Sequence, residues 1–372
     1  MNFELTDEQQ QLADSVAKML ASDYGFERRQ AIVRSDSGFS DAVWATLAEL
    51  GLMALALPEA DGGFGGGAMD LMATMEACGD ALVAEPLLDH VALGGRLLAR
   101  VGSAAQRATL LPGLADGSRR MAFAYLEPGR RYALDPQATT ARRDGLHWVL
   151  DGAKSVVIGA SVAHGFVVSA RTEEGASLFI VDAHTGGLSL NPSRTVDGQR
   201  CADLQLTGLR LGVDTLLGTA GAALPPIEEA VDFATALLCA DAIGAMRCAL
   251  DATLDYTKTR KQFGTPIASF QVLQHRMVEM LITLEQARSM AILAAAKVDT
   301  STDARERGRA VSAAKIKIAD AARLISQESV QLHGGMGMSE ELKISHTFRR
   351  LTMAAQRFGD ADHHLQRYAA LA

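Results

Sequence analysis

Two stretches in the last third of the chain decide the fold. Residues 256–267 read Tyr-Thr-Lys-Thr-Arg-Lys-Gln-Phe-Gly-Thr-Pro-Ile, and residues 331–338 read Gln-Leu-His-Gly-Gly-Met-Gly-Met. An arginine at a turn can bind a diphosphate through two parallel hydrogen bonds, and consecutive glycines let backbone amides approach a nucleotide closely. Either stretch alone is explained as the end of a helix. Together, with Arg260 and Gln331 71 residues apart, they are a more specific signal for a nucleotide-binding surface.

The chain around these stretches has three zones of different character. Residues 1 to about 115 and 225–372 have helical periodicity, whereas residues 120–220 contain short alternating segments separated by turns. We therefore predict an α+β protein with an N-terminal helical domain (1–117), a middle β-domain that forms a barrel or sandwich (118–222) and a C-terminal helical bundle (223–372). The predicted long helices are Pro226–Thr259, Ser269–Val298 and Thr302–His333. The predicted strands, mainly antiparallel, are Met121–Glu127, Leu146–Leu150, Gly165–Arg171, Ser177–Val181 and Asp203–Leu209.

Two helix starts in the first zone carry capping signals. Thr6 is followed three positions later by Gln9, the spacing of a capping box. Ser103 is predicted to cap a short helix that stops before Pro112-Gly113.

Composition excludes several classes of function. With 36 basic and 44 acidic residues the formal charge is -8, which argues against a general nucleic-acid binder. No run of about 18 apolar residues predicts a membrane span, and the acidic first residues do not resemble a secretory signal. Four cysteines without a C-x-x-C pair fit a reducing cytoplasm, and we expect Cys239 and Cys248 to be buried thiols.

Two further patterns are weaker signals. Gly63–Ala68 satisfies G-x-G-x-x-A, but only helices follow it, so we interpret it as a surface loop rather than a dinucleotide fingerprint. His363 and His364 diverge by about 100° on a helix and cannot share one ion. No metal site is predicted.

The quoted residues, in this helix–sheet–helix order, resemble the acyl-CoA dehydrogenase family over essentially the whole chain. Arg260-Lys-Gln-Phe-Gly264 is similar to the family's R-x-Q-F-G element, and Gln331-Leu-His-Gly-Gly335 to its Q-x-x-G-G element. The resemblance implies an N-terminal helical domain, a middle β-domain and a C-terminal four-helix bundle. It also implies oxidation of an acyl-CoA thioester to 2-enoyl-CoA with FAD, and an electron-transfer flavoprotein as acceptor.

In dimers of this family, the flavin ring lies in one subunit and the diphosphate and adenosine end reaches the partner's Arg and Q-x-x-G-G elements. By this resemblance Arg260 binds the diphosphate, while Phe263 and Gln271 shape the surrounding surface. The full set of cofactor-binding residues that the resemblance implies is Arg260, Gln262, Phe263, Gln271, Gln331, Gly334 and Gly335.

The family's catalytic base, a glutamate that removes the α proton, has no counterpart here. One of its two usual places lies 24 residues after Gly334, which is Phe358. The other lies 22 residues before Tyr256, which is Ala234. Neither side chain can accept a proton, so the catalytic residue is unknown.

The middle domain also departs from the family. The T-E-P-G-x-G-S-D pattern appears as Leu126-Glu-Pro-Gly-Arg-Arg-Tyr132, and K-x-W-I-T appears as Lys154-Ser-Val-Val-Ile158. The tryptophan and the hydroxyl donor are lost, and Ile158 has no side-chain donor for a flavin ring. The dinucleotide-end motifs are intact while the ring pocket is degraded.

These departures predict the base-lacking subunit of a hetero-oligomeric acyl-CoA dehydrogenase that shares FAD across a subunit interface. Residues 358–365 look most like the small subunit of pimeloyl-CoA dehydrogenase, and paired enzymes of steroid side-chain breakdown are similar. Fatty acid, dicarboxylic acid and steroid side-chain degradation all remain open. Two alternatives also remain: a self-sufficient enzyme whose base is Asp360, Asp232 or Asp241, and a flavin-free scaffold subunit.

Overall fold

The computed structural model describes residues 5–372, and the first four residues of the predicted N-terminal domain lie outside the described residues. The described chain divides into two compact units. The helical unit comprises the residues up to Arg29 together with Ala68–Val83 and Thr235–Ala372. The sheet unit comprises Gln30–Gly67 and Ala84–Ala234.

One eight-stranded sheet organises the sheet unit. Its strands are β1 (Met121–Ala124), β2 (Thr140–Asp144), β3 (His147–Ile158), β4 (Gly165–Thr172), β5 (Gly175–Asp182), β6 (Leu188–Arg194), β7 (Arg200–Gly212) and β8 (Leu216–Leu217). They lie in the order β6-β7-β3-β2-β4-β5-β8, and β1 pairs with β4 in parallel. Most neighbouring pairs are antiparallel, as predicted. The sequence analysis missed β2, β6 and the two-residue strand β8.

The core of this unit is made by alternate side chains of the strands. Leu150, Phe166, Phe179 and Leu209 are fully buried there. Each such side chain contributes about 1.5–3 kcal/mol when removed from water. The apolar alternation that predicted the strands is therefore what holds the sheet together.

Apart from one short hairpin at residues 261–266, the remaining regular structure of the described residues is helical. The α-helices are α1 (Asp7–Asp23), α2 (Phe26–Arg34), α3 (Asp41–Glu49), α4 (Ala68–Ala81), α5 (Leu87–Asp89), α6 (Arg96–Val101), α7 (Ala104–Ala115), α8 (Leu224–Thr259), α9 (Gln271–Thr300), α10 (Ala304–His333), α11 (Lys343–Gln356) and α12 (Ala361–Ala370). A π-helical segment, His90–Gly95, joins α5 to α6. The three predicted long helices are confirmed as α8, α9 and α10, with ends within two residues of the predicted ones.

Both predicted caps are present. The side chain of Thr6 accepts a hydrogen bond from the backbone N–H of Gln9 at 3.2 Å, and the Gln9 side chain accepts one from Thr6 in return. Ser103 forms the same capping box with Gln106. The predicted end of α7 was wrong, because Pro112 lies inside the helix. Pro112 lies in the last turn, where its carbonyl still accepts from Asp116.

Helices α4 and α8 cross with their backbones in contact. A Cβ on Gly79 would lie 1.9 Å from the carbonyl oxygen of Asp241, and one on Gly244 would lie 1.8 Å from that of Glu76. Any side chain at either glycine would separate the two helices. This crossing fixes the position of Glu76 within the helical unit.

Among the described residues, α8 alone is long and apolar enough to cross a membrane by length and composition. Its most apolar stretch is 94% buried inside the protein. The apolar character of this helix is therefore explained by packing in the core. Cys239 and Cys248, both on α8, are buried as expected.

Candidate cofactor-binding and active site

A short hairpin follows α8 and carries the first predicted motif. Strands β9 (Lys261–Gln262) and β10 (Thr265–Pro266) pair in an antiparallel manner. The two residues between them, Phe263 and Gly264, have φ of 54° and 80°, the combination that a type I′ turn requires. Phe263 is 93% exposed. A phenylalanine that is both solvent-exposed and left-handed costs stability, which points to a surface contact.

The second motif ends α10. Gly334 has φ 62° and ψ -144°, a conformation that is essentially restricted to glycine. A Cβ built on Gly334 or Gly335 would meet no atom within 4 Å. Gln331 and both glycines are exposed. Glycine at position 334 is therefore required by backbone conformation, and the surface above it is open.

A ring stack joins the ends of the two helices that carry these motifs. The rings of Tyr256 and His333 lie 4.4 Å apart between centroids, with an interplanar angle of 22°. Nδ1 of His333 lies 2.8 Å from the carbonyl oxygen of Ser329. Burial lowers the pKa of His333, which favours the neutral form of the stacked ring. Arg260 follows Tyr256 by one turn and Gly334 follows His333 directly, so the two motifs start from the same contact.

The sheet unit contains a buried ion pair at the altered middle-domain motifs. Lys154 Nζ donates to Glu127 Oε1 and to Ser169 Oγ, both at 3.1 Å, and to the carbonyl of Tyr125 at 3.3 Å. Burial lowers the pKa of Lys154 to about 8. Burial acts to raise the pKa of Glu127, but hydrogen bonds from three backbone N–H groups and the charge of Lys154 bring it down to about 2.

These three backbone donors tie Glu127 to the loop that precedes β2. They belong to Gln137, Ala138 and Thr139. The carboxylate therefore holds the loop while Lys154 holds the carboxylate. The pair has a structural role in this chain.

Next to this pair, the positions that face a flavin in the resembled family carry apolar side chains. The backbone N–H of Ser155 donates to the carbonyl of Leu126 at 2.9 Å, which brings the two motifs together. Val156 has φ 51° at an irregularity in the β3–β7 pairing and is 45% exposed. Ile158 is buried. None of Leu126, Val156 and Ile158 has a side chain that donates a hydrogen bond.

The two residues that the family resemblance predicts at the base positions, Ala234 and Phe358, are buried and have no ionisable group. Ala234 lies within α8 and is fully buried. Phe358 follows α11, has φ 60° and is 8% exposed. Burial and the absence of an ionisable group exclude proton transfer at either position.

The turn that carries Phe358 is held by two buried side chains. Lys315 Nζ donates to the carbonyl oxygens of Gly359 at 2.6 Å and Ala355 at 3.1 Å. His364 Nε2 lies 3.1 Å from the carbonyl oxygen of Phe358. Burial lowers the pKa of Lys315 to about 8 and that of His364 to about 3. The turn is therefore fixed from α10 and α12 at once.

Each of the three alternative carboxylates is buried or engaged in a structural hydrogen bond. Asp241 is fully buried and accepts two hydrogen bonds from Arg350, at 2.7 and 2.9 Å. Asp360 caps α12 by accepting from the backbone N–H of His363 at 2.8 Å. Asp232 is also fully buried. Among the described residues, no group of three or more His, Cys, Asp or Glu residues could hold a metal ion.

Comparison with known proteins identifies the family. The acyl-CoA dehydrogenase N-terminal domain matches residues 6–118, the middle domain 122–209 and the C-terminal domain 225–370. The acyl-CoA dehydrogenase FadE12 of Mycobacterium tuberculosis is 33% identical over 355 residues, which cover 92% of this chain and 90% of FadE12. This chain belongs to the acyl-CoA dehydrogenase family. The predicted family and fold class are thereby confirmed.

Solved structures of this family include close matches. The ChsE4-ChsE5 complex from Mycobacterium tuberculosis contains a chain with a TM-score of 0.91 at 25% identity, which covers 100% of this chain and 98% of that one. A variant of the Tcur3481-Tcur3483 steroid ACAD contains a chain with a TM-score of 0.87 at 31% identity, with coverage of 98% and 97%. Acyl-CoA dehydrogenases bind FAD, so membership places this chain among FAD-dependent oxidoreductases.

The diphosphate end of FAD fits the chemistry of the hairpin and of the end of α10. Arg260 is an exposed guanidinium, which suits a diphosphate. Gln331 adds an amide, and the open surface above Gly334 and Gly335 leaves their backbone accessible. These groups can donate hydrogen bonds to an anionic ligand.

The ring end of FAD does not fit the altered motifs of the sheet unit. A flavin ring has nitrogen and oxygen atoms that need hydrogen-bond donors, and Leu126, Val156 and Ile158 supply none from their side chains. The nearby cation, Lys154, is fully buried and donates to three other acceptors. This chain therefore offers hydrogen-bond donors to the diphosphate end of FAD, whereas these three side chains offer none to the ring end.

Sequence reasoning missed the residues that hold these segments in place. The sequence analysis assigns no partner to Lys315, and it does not predict the stack of Tyr256 on His333. The available signal was Lys315. It lies within Ala313-Ala-Lys-Ile-Lys-Ile318, at a helix position that the apolar pattern assigns to the core. The partners, two backbone carbonyls about 40 residues away, carry no sequence signature.

Proposed function

We propose that this chain is the base-lacking subunit of a heteromeric FAD-dependent acyl-CoA dehydrogenase, which oxidises the α,β bond of an acyl-CoA thioester to a 2-enoyl-CoA. One observation carries the proposal: Phe358 and Ala234, which the family resemblance places at the two usual base positions, are buried and have no group that accepts a proton. A dehydrogenase needs a carboxylate beside the α carbon. A partner chain therefore supplies it.

The same proposal accounts for the unequal support for the two ends of FAD. Arg260, with Gln262, Gln331, Gly334 and Gly335, would hold the diphosphate and adenosine end of a flavin whose ring lies in the partner. Phe263 and Gln271 would shape the surface around it. When bound, FAD supplies the acceptor for the β hydride. The role of this chain is to bind and orient the cofactor.

Two relatives support an assembly of unlike chains. The ChsE4-ChsE5 and Tcur3481-Tcur3483 structures are each described by the names of two polypeptides. The second is described as a steroid ACAD. We extend the pairing of unlike chains to this protein, and we keep dicarboxylic and steroid acyl-CoA thioesters as the substrate classes to test first.

Four more detailed predictions from the sequence are part of this proposal. They are the domain boundaries at 117/118 and 222/223, a cytoplasmic location, a resemblance to the pimeloyl-CoA dehydrogenase small subunit and an electron-transfer flavoprotein as acceptor. Each is compatible with family membership.

The decisive experiment compares the chain alone with the chain co-purified from its native source. Alone, we expect flavin well below one per chain and no turnover of acyl-CoA. Co-purified, we expect a second acyl-CoA dehydrogenase chain, a flavin absorbance spectrum and turnover. A yellow homo-oligomer that is reduced by an acyl-CoA without any partner would overturn the proposal.

Arg260→Ala tests the shared cofactor within such a complex. We expect lower flavin retention after gel filtration with the assembly intact. The matched control is Arg28→Ala, since Arg28 is also exposed and its ion pair with Asp23 is long, at 3.9 Å. Equal flavin content in both variants would favour the flavin-free scaffold.

A further inference from the structure

A cavity lies in the helical unit, and no residue of the proposed cofactor surface lines it. It has a volume of about 360 Å³, within the size range of small-molecule pockets. Its walls come from α1, α4, α8 and α9. The lining includes small and apolar side chains, namely Leu5, Ala13, Ala17, Met69, Met72, Ala73, Ala77 and Ile292.

Three charged side chains meet at one side of this cavity. Glu76 extends from α4, where the close crossing with α8 places it, and its side chain is 14% exposed. Arg247 Nη1 lies 3.6 Å from Glu76 Oε2, and Arg288 Nη2 donates to the same oxygen at 3.2 Å. One carboxylate oxygen thus serves two guanidinium groups from two different helices.

The site has more hydrogen-bond donors than acceptors. Each guanidinium carries five N–H groups. Within residues 5–372, the guanidinium groups of Arg247 and Arg288 together donate a single hydrogen bond, the one from Arg288 to Glu76. Within the same described residues, Arg288 Nε is buried and has no acceptor. A buried donor without a partner is unfavourable, because it has lost its hydrogen bond to water.

The other acidic groups nearby leave this excess in place. Glu285 is 57% exposed and lies 3.8 Å from Arg288 Nη1, beyond hydrogen-bond distance. Asp14 lines the cavity but is exposed, and its Oδ1 accepts from Gln10. Neither carboxylate reaches Arg288 Nε. A ligand that brings its own oxygens would use the donors that the protein leaves unused.

From this geometry we infer that the cavity between α1, α4, α8 and α9 is a binding site for a carboxylate with an apolar tail, such as a medium-chain fatty acid. The carboxylate would bind Arg247 and Arg288 beside Glu76. The tail would lie against Ala13, Ala17 and the other apolar walls. This inference does not depend on the proposed function, because none of its residues belongs to the cofactor surface.

Titration calorimetry of the purified chain with three probes tests the site. Octanoate carries both features of the ligand, octanol carries only the tail, and inorganic phosphate carries only the anion. We expect octanoate to bind at one site per chain, at least about tenfold more tightly than either other probe, as expected for one charged hydrogen bond. Equal affinity for octanoate and octanol, or no binding of octanoate, would overturn the inference.

Two variants locate the site. Arg288→Gln should weaken octanoate about tenfold or more, whereas Arg323→Gln on α10, a side chain that is 73% exposed, should not. Ala17→Leu fills the cavity from an exposed position of α1 and should also weaken octanoate while preserving the fold. Unchanged octanoate affinity in Ala17→Leu, with an unchanged circular dichroism spectrum, would contradict this location.

Discussion

Tyr256 and His333 stack face to face, 4.4 Å apart, although 77 residues separate them along the chain. This contact connects the Arg260 hairpin to the glycines that follow α10. We predict that Tyr256→Leu lowers the free energy of unfolding by about 1 kcal/mol beyond the loss of buried area. In the complex, it should also lower flavin retention although it leaves every predicted cofactor residue intact.

Urea unfolding and flavin content measure the two effects. Tyr368→Leu is the control, because Tyr368 on α12 interacts with Arg309 and lies outside both motifs. If Tyr256→Leu and Tyr368→Leu retain flavin equally, the stack does not organise the surface.

The second prediction concerns the two adjacent glycines at the end of α10. Gly334→Ala should cost about 1–3 kcal/mol, because φ 62° and ψ -144° are not accessible to alanine without strain. Gly335 has an ordinary φ and open space around it. Gly335→Ala should therefore lower the free energy of unfolding by only about a few tenths of a kcal/mol. Thermal unfolding of both variants measures the two costs, and equal costs would show that the backbone conformation does not require glycine at position 334.

The third prediction follows from the buried His364. Burial and nearby cations, first among them Lys315, lower its pKa to about 3, whereas the unfolded histidine titrates near 6.5. Between these values the unfolded state binds more protons than the folded state, so stability decreases as the pH falls through this window. His364→Gln should flatten the pH dependence of the free energy of unfolding between pH 6.5 and 4, an effect on the order of 2–3 kcal/mol.

The measurement is urea unfolding at several pH values. His275→Gln removes an exposed histidine and serves as the control, with a slope close to that of the unmodified chain. A slope in His364→Gln as steep as in the control would mean that other groups dominate acid sensitivity.

The fourth prediction treats Lys154 and Glu127 as one unit. Removing either partner leaves the other buried and uncompensated, so Lys154→Met and Glu127→Gln should each cost about 3–5 kcal/mol. The double variant should cost clearly less than the sum of the two single variants. Additive costs in a double-mutant cycle would show that the two side chains stabilise the fold independently.

Local signals explain what the sequence predicted correctly. The Thr6–Gln9 capping box, the long helices and most strands are encoded within a few residues of where they form. The missed strands of the large sheet lacked that signal. β2 (Thr140–Asp144) has one buried side chain, β6 (Leu188–Arg194) is an exposed edge strand that contains Pro192, and β8 (Leu216–Leu217) is only two residues long. Pro112 predicts a helix end, but the helix continues to Ala115 and buries Leu114 beyond the proline.

The candidate site was predictable only as far as its motifs are contiguous. Arg260 and Gly334 could be named from the sequence, since each lies in a recognisable element. Their connection through Tyr256 and His333, and the clamp of Lys315 on the Phe358 turn, depend on contacts between distant segments. Such contacts follow from helix packing and have no local pattern.

The last prediction asks whether a base alone would make this chain an enzyme. Phe358→Glu puts a carboxylate at the family's position, yet we expect no turnover of acyl-CoA by the isolated variant, because Leu126, Val156 and Ile158 still offer no donor to a flavin ring. Adding Leu126→Thr, Val156→Trp and Ile158→Thr should raise flavin retention above that of Phe358→Glu alone. Anaerobic bleaching of flavin by an acyl-CoA in the single variant would mean that the missing base, rather than the altered ring pocket, is what keeps this chain inactive by itself.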